Sequence, residues 1–378
     1  MAALTPEVTR LRLARLSPRL EGKILGNTIP AADGGALLVA GTILTLSFVR
    51  RLQSKGYRFV YVDDDVSSGI EPDEVIDAQT RSRAFEALRG SLKCIAERTP
   101  IDSGKVTEAV ECIVDNIKRR AGITFSLATI RTLDEYTFVH SLNVCALAII
   151  IGLESGLLGG QLTGLGVGAL LHDVGKVIVP LNVLNKPNGL TTEEMALVKV
   201  HTLEGFQILR DQPGISLLSA HVALQHHERM DGTGYPRGLY GEEIHRYARI
   251  AAVADVMDAL TSPRPYRTGV LPDQARRVVA SLAGNQLDET FVDIILRRVC
   301  VFPSGSLIRL SSGETAVVSR QSPRDPARPV IRILTDRAGR TVAPYAKWLS
   351  TSTPRRISWL YWTNYPDSRI SGDRPRRR

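Results

Sequence analysis

The sequence predicts a mainly α-helical protein, in which a helical domain is preceded by a small α/β or β module and followed by a small antiparallel β extension. From about residue 120 to residue 300, apolar residues recur at helical spacing almost throughout. Before residue 64 and after Phe302, short apolar runs alternate with Gly, Asp and Pro, which is typical of strands and turns. A chain of 378 residues is long for one domain, so we expect two or three.

Residues 1–64 are predicted to form the N-terminal module, which we interpret as a regulatory, mostly β unit. Its apolar runs ALLVAGTI and RFVYV are the expected strands. Residues 65–119 are predicted to be a helical connector, because the pattern from Glu71 to Glu97 is helical and charged and Asp102 is a good N-cap for a second helix. That second helix has one apolar face, formed by Val106, Val110, Ile113 and Ile117.

Residues 120–300 are predicted to form the main, helical domain. Thr191 and Glu194 have the spacing of a capping box at the start of one of its helices. Gly/Pro-rich loops are expected at residues 186–190, 231–241 and 261–267. The middle loop, DGTGYPRGLYG, is longer than most connections between helices, and compact loops of this kind often carry function.

Residues 301–350 are predicted to form the β extension, and residues 351–378 a basic, disordered tail. The runs SLIRL, TAVVSR and PVIRILTD are the three strands that we expect in the extension. The last 25 residues hold seven arginines and two aspartates, interleaved with Trp and Tyr. Contact of this tail with an anionic surface is the alternative to a solvated segment, and nucleic-acid binding is the least favoured function.

Composition excludes several classes of protein. The net charge of +9 favours acidic partners such as phosphates, without choosing among them. Four cysteines without a CxxC pattern indicate neither a disulfide framework nor a zinc ribbon, so we expect them to be reduced. The N-terminal stretch lacks the apolar core of a secretory signal, and no apolar run is a good transmembrane segment. We therefore expect a soluble, cytoplasmic protein.

Metal-ligand side chains recur within the main domain. A lone His or Asp in apolar surroundings is more often a hydrogen-bonded core residue, but this segment has seven such residues, which together predict a polynuclear metal site. Imidazole and carboxylate suit transition ions, and no thiolate lies close by in the sequence to select a structural zinc. The residues are His140, His172, Asp173, His201, His226, His227 and Asp255.

The adjacent pair His172 and Asp173 favours two metal ions over one, because the carboxylate can bridge two ions while the imidazole binds one of them. A water held between ions roughly 3.5–4 Å apart would become a hydroxide near neutral pH and attack a phosphorus atom. Lys176, three residues after Asp173, is a candidate to hold a phosphate oxygen, although a lysine there can also simply complement a helix dipole. Arg264 and Arg267 are candidates for further phosphate contacts.

The order and spacing of five motifs resemble the HD-GYP family, a subgroup of the HD phosphohydrolases whose members degrade cyclic di-GMP. The match extends over about 130 residues, and HDxGK together with HHExxDGxGYP is far more specific than a lone HD dipeptide. The motifs are YTFVHSLNV at 136–144, LLHDVGK at 170–176, HTLEG at 201–205, QHHERMDGTGYP at 225–236 and RIAAVADVMDALTSPRPYR at 249–267.

The resemblance implies a role for each matching position. His172 and Asp173 match the name-giving pair of the HD-type bundle, with Asp173 the bridging ligand, and Lys176 matches the lysine beside the substrate phosphate. Tyr235 is a further substrate-binding candidate. The remaining ligands that the resemblance implies are His201, His226, His227, Asp255 and His140, and the GYP loop is Gly234, Tyr235 and Pro236.

Some family members have a glutamate four residues before the first histidine and hold a third metal ion. Tyr136 occupies that position here, so the resemblance points to two ions, with His140 either ligating weakly or ordering a water. Iron or manganese is the expected metal. The implied activity is a cyclic di-GMP phosphodiesterase that forms pGpG and, on continued hydrolysis, GMP. The alternative is a catalytically weak cyclic di-GMP sensor or interaction module that signals through the GYP loop.

The resemblance also implies partners. Cyclic di-GMP is the expected small-molecule partner, and cyclase proteins of the GGDEF type are candidate partners of the GYP loop. The sequence leaves open whether the protein is a homodimer.

Overall fold

The computed structural model describes the chain with gaps, and all structural statements below refer to the described residues. These are residues 10–30, 36–55, 57, 59–71, 75–120, 136–184, 186, 189–262, 270, 272–322, 325–348 and 357–359. They fold into two compact units. The first draws on residues 1–74 and 300–378 and the second on residues 75–122 and 135–299, in each case as far as they are described.

The first unit is built from β-strands at both ends of the chain. Its N-terminal elements are β1 (Arg10–Arg15), β2 (Ile29–Pro30), β3 (Ala36–Leu38), α1 (Leu46–Ser54) and β4 (Phe59–Ser68). Its C-terminal elements are β5 (Leu307–Leu310), β6 (Thr315–Arg320), β7 (Val330–Thr335), β8 (Thr341–Trp348) and β9 (Ile357–Trp359). β1 pairs with β4 and β2 with β3, and the C-terminal strands form one antiparallel sheet in the order β8-β7-β6-β5-β9.

The two ends of the chain contact each other inside this unit. The Arg332 guanidinium on β7 donates hydrogen bonds to the carbonyls of Val66 and Ser68 at the end of β4. The Leu13 N–H on β1 donates to the Gly305 carbonyl just before β5. A predicted N-terminal module and a predicted C-terminal extension thus share one compact unit, while the domain boundaries that we drew between them stay predictions.

The N-terminal part contains one described helix, α1, between the two apolar runs that the sequence predicts to be strands. Thr45 caps α1 by accepting a hydrogen bond from the Phe48 N–H, and Val49 and Leu52 on that helix enter a core that also holds Leu25 and Val62. The apolar run before α1 alternates as a strand does, and an apolar run this short is compatible with either a strand or a helix. The Thr45 cap and the burial of Val49 and Leu52 favour a helix at Leu46–Ser54.

The second unit is helical. Its helices are α2 (Ala78–Ala96), α3 (Ser103–Arg119), α4 (Tyr136–Glu154), α5 (Gly159–Leu170), α6 (Leu181–Leu184), α7 (Thr192–Lys199), α8 (His201–Arg210), α9 (Leu217–Gln225), α10 (Arg246–Thr261), α11 (Pro272–Leu282) and α12 (Glu289–Arg298). A 3-10 helix, Val174–Ile178, follows α5. From residue 139 to residue 152 every side chain of α4 is buried, and α4 packs against α5 and α10. This apolar helix is the centre of the bundle.

The prediction of a mainly α protein with a small N-terminal module and an antiparallel β extension is confirmed. Asp102 caps α3, and Thr191 and Glu194 form the predicted capping box of α7. The extension has two strands, β8 and β9, beyond the three that the sequence suggested. β9 lies within the segment predicted to be a disordered tail. None of the described helices has both the length and the apolar character needed to cross a membrane.

Gly175 allows two site-bearing segments to approach each other. It lies in the 3-10 helix that follows His172 and Asp173, and a Cβ at this position would overlap the His201 carbonyl oxygen and come within 2.6 Å of the Gly205 N atom. Only glycine can therefore let this turn pack against the first turn of α8. The HDxGK motif requires its glycine here for packing, and the packing brings Asp173 to His201.

We expect Gly175→Ala to destabilise the protein by about 3 kcal/mol, since the added methyl group must push two backbone segments apart. Thermal and urea unfolding would measure this change. The matched control is Gly160→Ala, because a Cβ at Gly160 on α5 meets nothing within 4 Å. Equal stability of the two variants would contradict the packing role of Gly175.

Candidate metal centre

Five separate segments bring the predicted ligands together. His140 lies on α4, His172 and Asp173 follow α5, and His201 begins α8. His226 and His227 follow directly after α9, and Asp255 lies on α10. His227 is half-buried and the other six residues are buried. Residues that lie up to 115 positions apart in the sequence, from 140 to 255, thus share one buried cluster.

Backbone carbonyls orient three of the imidazoles. Nδ1 of His172 lies 2.8 Å from the Ala169 carbonyl, and Nδ1 of His201 lies 2.6 Å from the Val198 carbonyl. Nδ1 of His226 lies 3.0 Å from the Ala223 carbonyl. A carbonyl oxygen only accepts, so each ring carries its proton on Nδ1. Each Nε2 atom therefore directs a lone pair into the cluster, as a metal ligand requires.

A carboxylate orients the fourth buried imidazole. Nδ1 of His140 lies 2.7 Å from Oδ2 of Asp258, which is fully buried on α10. Asn143 and Ser262 donate hydrogen bonds to the other oxygen of Asp258, at 2.8 Å and 3.0 Å. Because both oxygens of Asp258 are occupied, this carboxylate holds the ring of His140 in place rather than joining the cluster itself.

Asp173 lies between two groups of imidazoles. Its Oδ1 atom is 3.5 Å from Nε2 of His201 and 3.8 Å from Nε2 of His226. Its Oδ2 atom is 3.3 Å from Nε2 of His172 and 3.7 Å from Nε2 of His140. Asp255 borders both groups, with one oxygen 3.3 Å from Nε2 of His140 and the other 3.9 Å from Nδ1 of His227.

Three combinations of these residues have ligand atoms close enough together to hold one ion. In each, the ligand atoms lie within 4.8 Å of one another. Two combinations share no residue, and the third contains Asp173 and joins them. They are His201, His226 and His227; His140, His172 and Asp255; and His172, Asp173 and His226. The described residues therefore contain a possible His/Asp metal site with room for more than one ion.

The hydrogen bonding of the cluster fits a bound cation. Nε2 of His172 and Oδ1 of Asp173 are buried and have no hydrogen-bond partner within the described part of the chain. The Nε2 atoms of His201 and His226 face each other at 3.4 Å, and both bear lone pairs because both protons are on Nδ1. Facing lone pairs and unpartnered buried acceptors are costly unless a positive charge lies among them.

The protonation states also suit metal binding. Burial lowers the pKa of His201 and His226 and lowers the pKa of His227 to about 3, so these rings are neutral at pH 7. Although burial opposes ionisation of Asp173, the charge of Lys176 holds the pKa of its carboxyl well below the usual range. Burial likewise opposes ionisation of Asp255, but a hydrogen bond from His140 lowers the pKa of Asp255.

His140 differs from the other rings. Burial disfavours its charged form, but hydrogen bonds to Asp255 and Asp258 outweigh burial and raise the pKa of His140 to about 9. Both ring nitrogens face carboxylates, at 2.7 Å for Asp258 and 3.3 Å for Asp255. The ring thus links α4 to α10 through two carboxylates of α10.

Two partly exposed groups border the buried cluster. Nζ of Lys176 contacts Oδ2 of Asp173, and the side chain of Lys176 is 32% exposed. Tyr235 packs its ring on His227, with ring centroids 4.8 Å apart, and Nζ of Lys199 lies 4.8 Å from the centroid of the Tyr235 ring. Burial, together with the charges of Asp255 and Asp173, raises the pKa of Tyr235, so its hydroxyl stays protonated. Arg264 and Arg267 lie outside the described residues.

Glu228 organises the loop that contains Gly234, Tyr235 and Pro236. Its buried carboxylate accepts hydrogen bonds from the Arg237 N–H at 2.8 Å and from the Leu239 N–H at 3.0 Å. A Cβ on Gly234 would lie within 2.4 Å of the Glu228 Cα, so the loop passes too close to Glu228 for any other residue at that position. This packing places Tyr235 against His227.

Sequence reasoning missed Asp258, Glu228 and Lys199. Asp258 follows Asp255 by three residues in an otherwise apolar helix, a spacing that puts both carboxylates on one helical face, and this signal was available. Glu228 is part of the quoted HHE motif, where the acid was given no role. Lys199 had no signal beyond its position two residues before His201, since surface lysines are common.

Comparisons with known protein families agree with the site. A family model described as an HD domain matches residues 125–291. A second model, described as a KOW domain associated with HD domains, matches residues 307–348, which contain β5, β6, β7 and β8.

Several curated relatives are similar to this chain. Cyclic di-GMP phosphodiesterase PA4108 of Pseudomonas aeruginosa is 38% identical over 252 residues, which cover 67% of this chain and 61% of that protein. A cyclic di-GMP phosphodiesterase of Thermotoga maritima is 40% identical over 45% of this chain and 48% of its own length. 3'3'-cGAMP-specific phosphodiesterase 1 of Vibrio cholerae is 35% identical over 43% of this chain and 38% of its own length. The chain thus spans less than two thirds of these relatives.

We expect Asp258→Asn to weaken Mn²⁺ binding by about 10- to 100-fold, the range typical for partners that orient ligand histidines. Asp258 accepts hydrogen bonds through both oxygens, whereas asparagine has one acceptor oxygen, so either Nδ1 of His140 or the donors Asn143 and Ser262 would lose their acceptor. Titration of metal-free protein with Mn²⁺ by calorimetry would measure the affinity, and Asp115→Asn, at an exposed position on α3, is the matched control. If both variants bind Mn²⁺ as the wild type does, Asp258 has no part in the site.

Proposed function

We propose that the protein is a metal-dependent phosphodiesterase of the HD-GYP type that acts on cyclic di-GMP, and the premise is the match of residues 125–291 to a family model described as an HD domain. The observation that carries the proposal is the position of Asp173, whose two carboxylate oxygens each face a different pair of imidazoles. A carboxylate with this arrangement can bridge two divalent ions.

The ligands that we propose for the two ions are His172, Asp173, His201, His226, His227 and Asp255, with His140 at the edge of the site. Two divalent ions held there would polarise the phosphoryl oxygens and make water a nucleophile near neutral pH. The donor set of neutral imidazoles and ionised carboxylates supports iron or manganese. Burial of these groups strengthens their electrostatic effect on a bound phosphate, because little water is present to screen it.

Lys176 is the residue that we propose to contact the substrate phosphate. Its ammonium is anchored by Asp173 yet remains partly exposed, so it can reach a non-bridging phosphate oxygen from the solvent side of the cluster. The same ammonium can assist departure of the leaving oxygen by stabilising its negative charge. We propose that His172 and Asp173 complete this catalytic group as ligands of the ions, and the contact of Asp173 with Nζ fixes the position of the lysine.

The reaction that we propose opens the cyclic dinucleotide to linear pGpG, with further hydrolysis giving GMP. We also propose that the loop containing Gly234, Tyr235 and Pro236 serves as the docking point for cyclase proteins of the GGDEF type. Glu228 supports this role, since its two hydrogen bonds to the loop backbone give the loop a fixed shape that a partner can recognise. A homodimer and a cytoplasmic location stay predictions.

Cyclic di-GMP is the favoured substrate because a relative that is similar over 67% of this chain is named for it. Three similar proteins from Vibrio cholerae are named for 3'3'-cGAMP, which differs from cyclic di-GMP in one base. Hydrolysis of both compounds under identical conditions, with identification of products by chromatography, would rank the two substrates.

We expect Asp173→Ala to lower turnover of cyclic di-GMP by more than about 100-fold, since even partners outside the ligand set cost up to about that much. The metal content of the purified variant should fall in parallel. A chelator should abolish activity of the wild type, and added Mn²⁺ or Fe²⁺ should restore it. The matched control is Asp115→Asn, which leaves the cluster intact.

A sensor without catalysis would give a different result. Wild-type protein would then bind cyclic di-GMP without forming pGpG at any metal loading. That outcome would reject the proposed hydrolase.

A further inference from the structure

Lys199 lies beside the candidate site and forms no ion pair with any carboxylate of the described residues. It lies in the last turn of α7 and is exposed. Two other lysines in this part of the chain are neutralised, since Lys186 pairs with Glu194 at 2.7 Å and Lys176 pairs with Asp173. Among the described residues no carboxylate lies within ion-pair distance of Lys199, and its recorded contact is with the face of the Tyr235 ring.

A chain of contacts connects Lys199 to the buried cluster. Tyr235 packs on His227 with ring centroids 4.8 Å apart, and Nζ of Lys199 lies 4.8 Å from the centroid of Tyr235. A cation at this distance from an aromatic face is attracted to it, which restricts where the ammonium can go. Lys199 is therefore held at the mouth of the site, by which we mean the partly exposed side of the cluster that Lys176 and Tyr235 border, and it keeps its positive charge.

Lys199 and Lys176 approach the cluster through different ligands. Lys176 contacts Asp173, whereas Lys199 reaches His227 through Tyr235. A cyclic dinucleotide has two phosphodiesters on one ring, and only one of them can occupy the reacting position at a time. The other phosphodiester carries a full negative charge that must lie elsewhere at the mouth.

We propose that Lys199, positioned by Tyr235, binds the second, non-reacting phosphodiester of a cyclic dinucleotide. This inference rests on the proposed function, because it assigns a substrate group to the same site. Its chemistry is a charge-assisted hydrogen bond from the ammonium to a phosphate oxygen. The Tyr235 hydroxyl can donate a second hydrogen bond to that phosphate. Recognition of two phosphates would favour cyclic dinucleotides over small phosphodiesters with one.

The test compares a substrate that has two phosphodiesters with a substrate that has one. In metal-loaded protein we expect Lys199→Met to raise the KM for cyclic di-GMP about tenfold, as loss of one charge-assisted hydrogen bond predicts, with kcat little changed. Hydrolysis of bis(p-nitrophenyl) phosphate, which has a single phosphodiester, should be unaffected. Lys199→Arg should retain most of the affinity for cyclic di-GMP. The matched control is Lys186→Met, which removes the same charge from a lysine already paired with Glu194.

An unchanged KM for cyclic di-GMP in Lys199→Met would overturn the inference. An equal loss with both substrates would also overturn it, since Lys199 would then act on the reacting phosphate or on the fold. If the wild type hydrolyses neither substrate, the proposed function fails, and calorimetric binding of cyclic di-GMP decides the inference separately. Weaker binding to Lys199→Met than to Lys186→Met would support it, and equal binding would reject it.

Discussion

The buried carboxylate of Asp173 is the group on which the rest of the site depends. A charge removed from water must be compensated, and here the compensation comes from the Lys176 ammonium and from His140, whose pKa is raised. Its Oδ1 atom still lacks a hydrogen-bond partner within the described part of the chain. This unpaired acceptor lowers the free energy of unfolding, and a bound cation would remove that loss.

The helical bundle serves to hold rings in one orientation each. His172, His201 and His226 donate from Nδ1 to carbonyls one turn earlier in the chain, so the end of a helix fixes both the tautomer and the direction of each Nε2 atom. In His140, on α4, Nδ1 faces the carboxylate of Asp258 on α10 instead. Backbone carbonyls thus orient three of the rings, and a side chain orients the fourth.

Close backbone approach connects the candidate metal ligands to the surface of the site. Gly175 lets the turn after Asp173 pack on α8, and Gly234 lets the loop pass over Glu228 and place Tyr235 on His227. Through Tyr235 the buried cluster reaches Lys199, an exposed cation whose charge no described carboxylate balances. The same packing that assembles the ligands therefore also shapes the mouth of the site and its positive charge.

The sequence by itself determined the fold class, the capped helices after Asp102 and Thr191, and which imidazoles and carboxylates belong together, because helical periodicity, capping residues and the HD-GYP motifs are local signals. Only the tertiary structure decided the rest. Asp258, Glu228 and Lys199 contact partners that are distant in sequence or lie across a loop. The N- and C-terminal strands share one unit through contacts such as those of Arg332 with Val66 and Ser68. The sequence did not predict this, because a contact between remote segments does not change the hydrophobic periodicity of either segment.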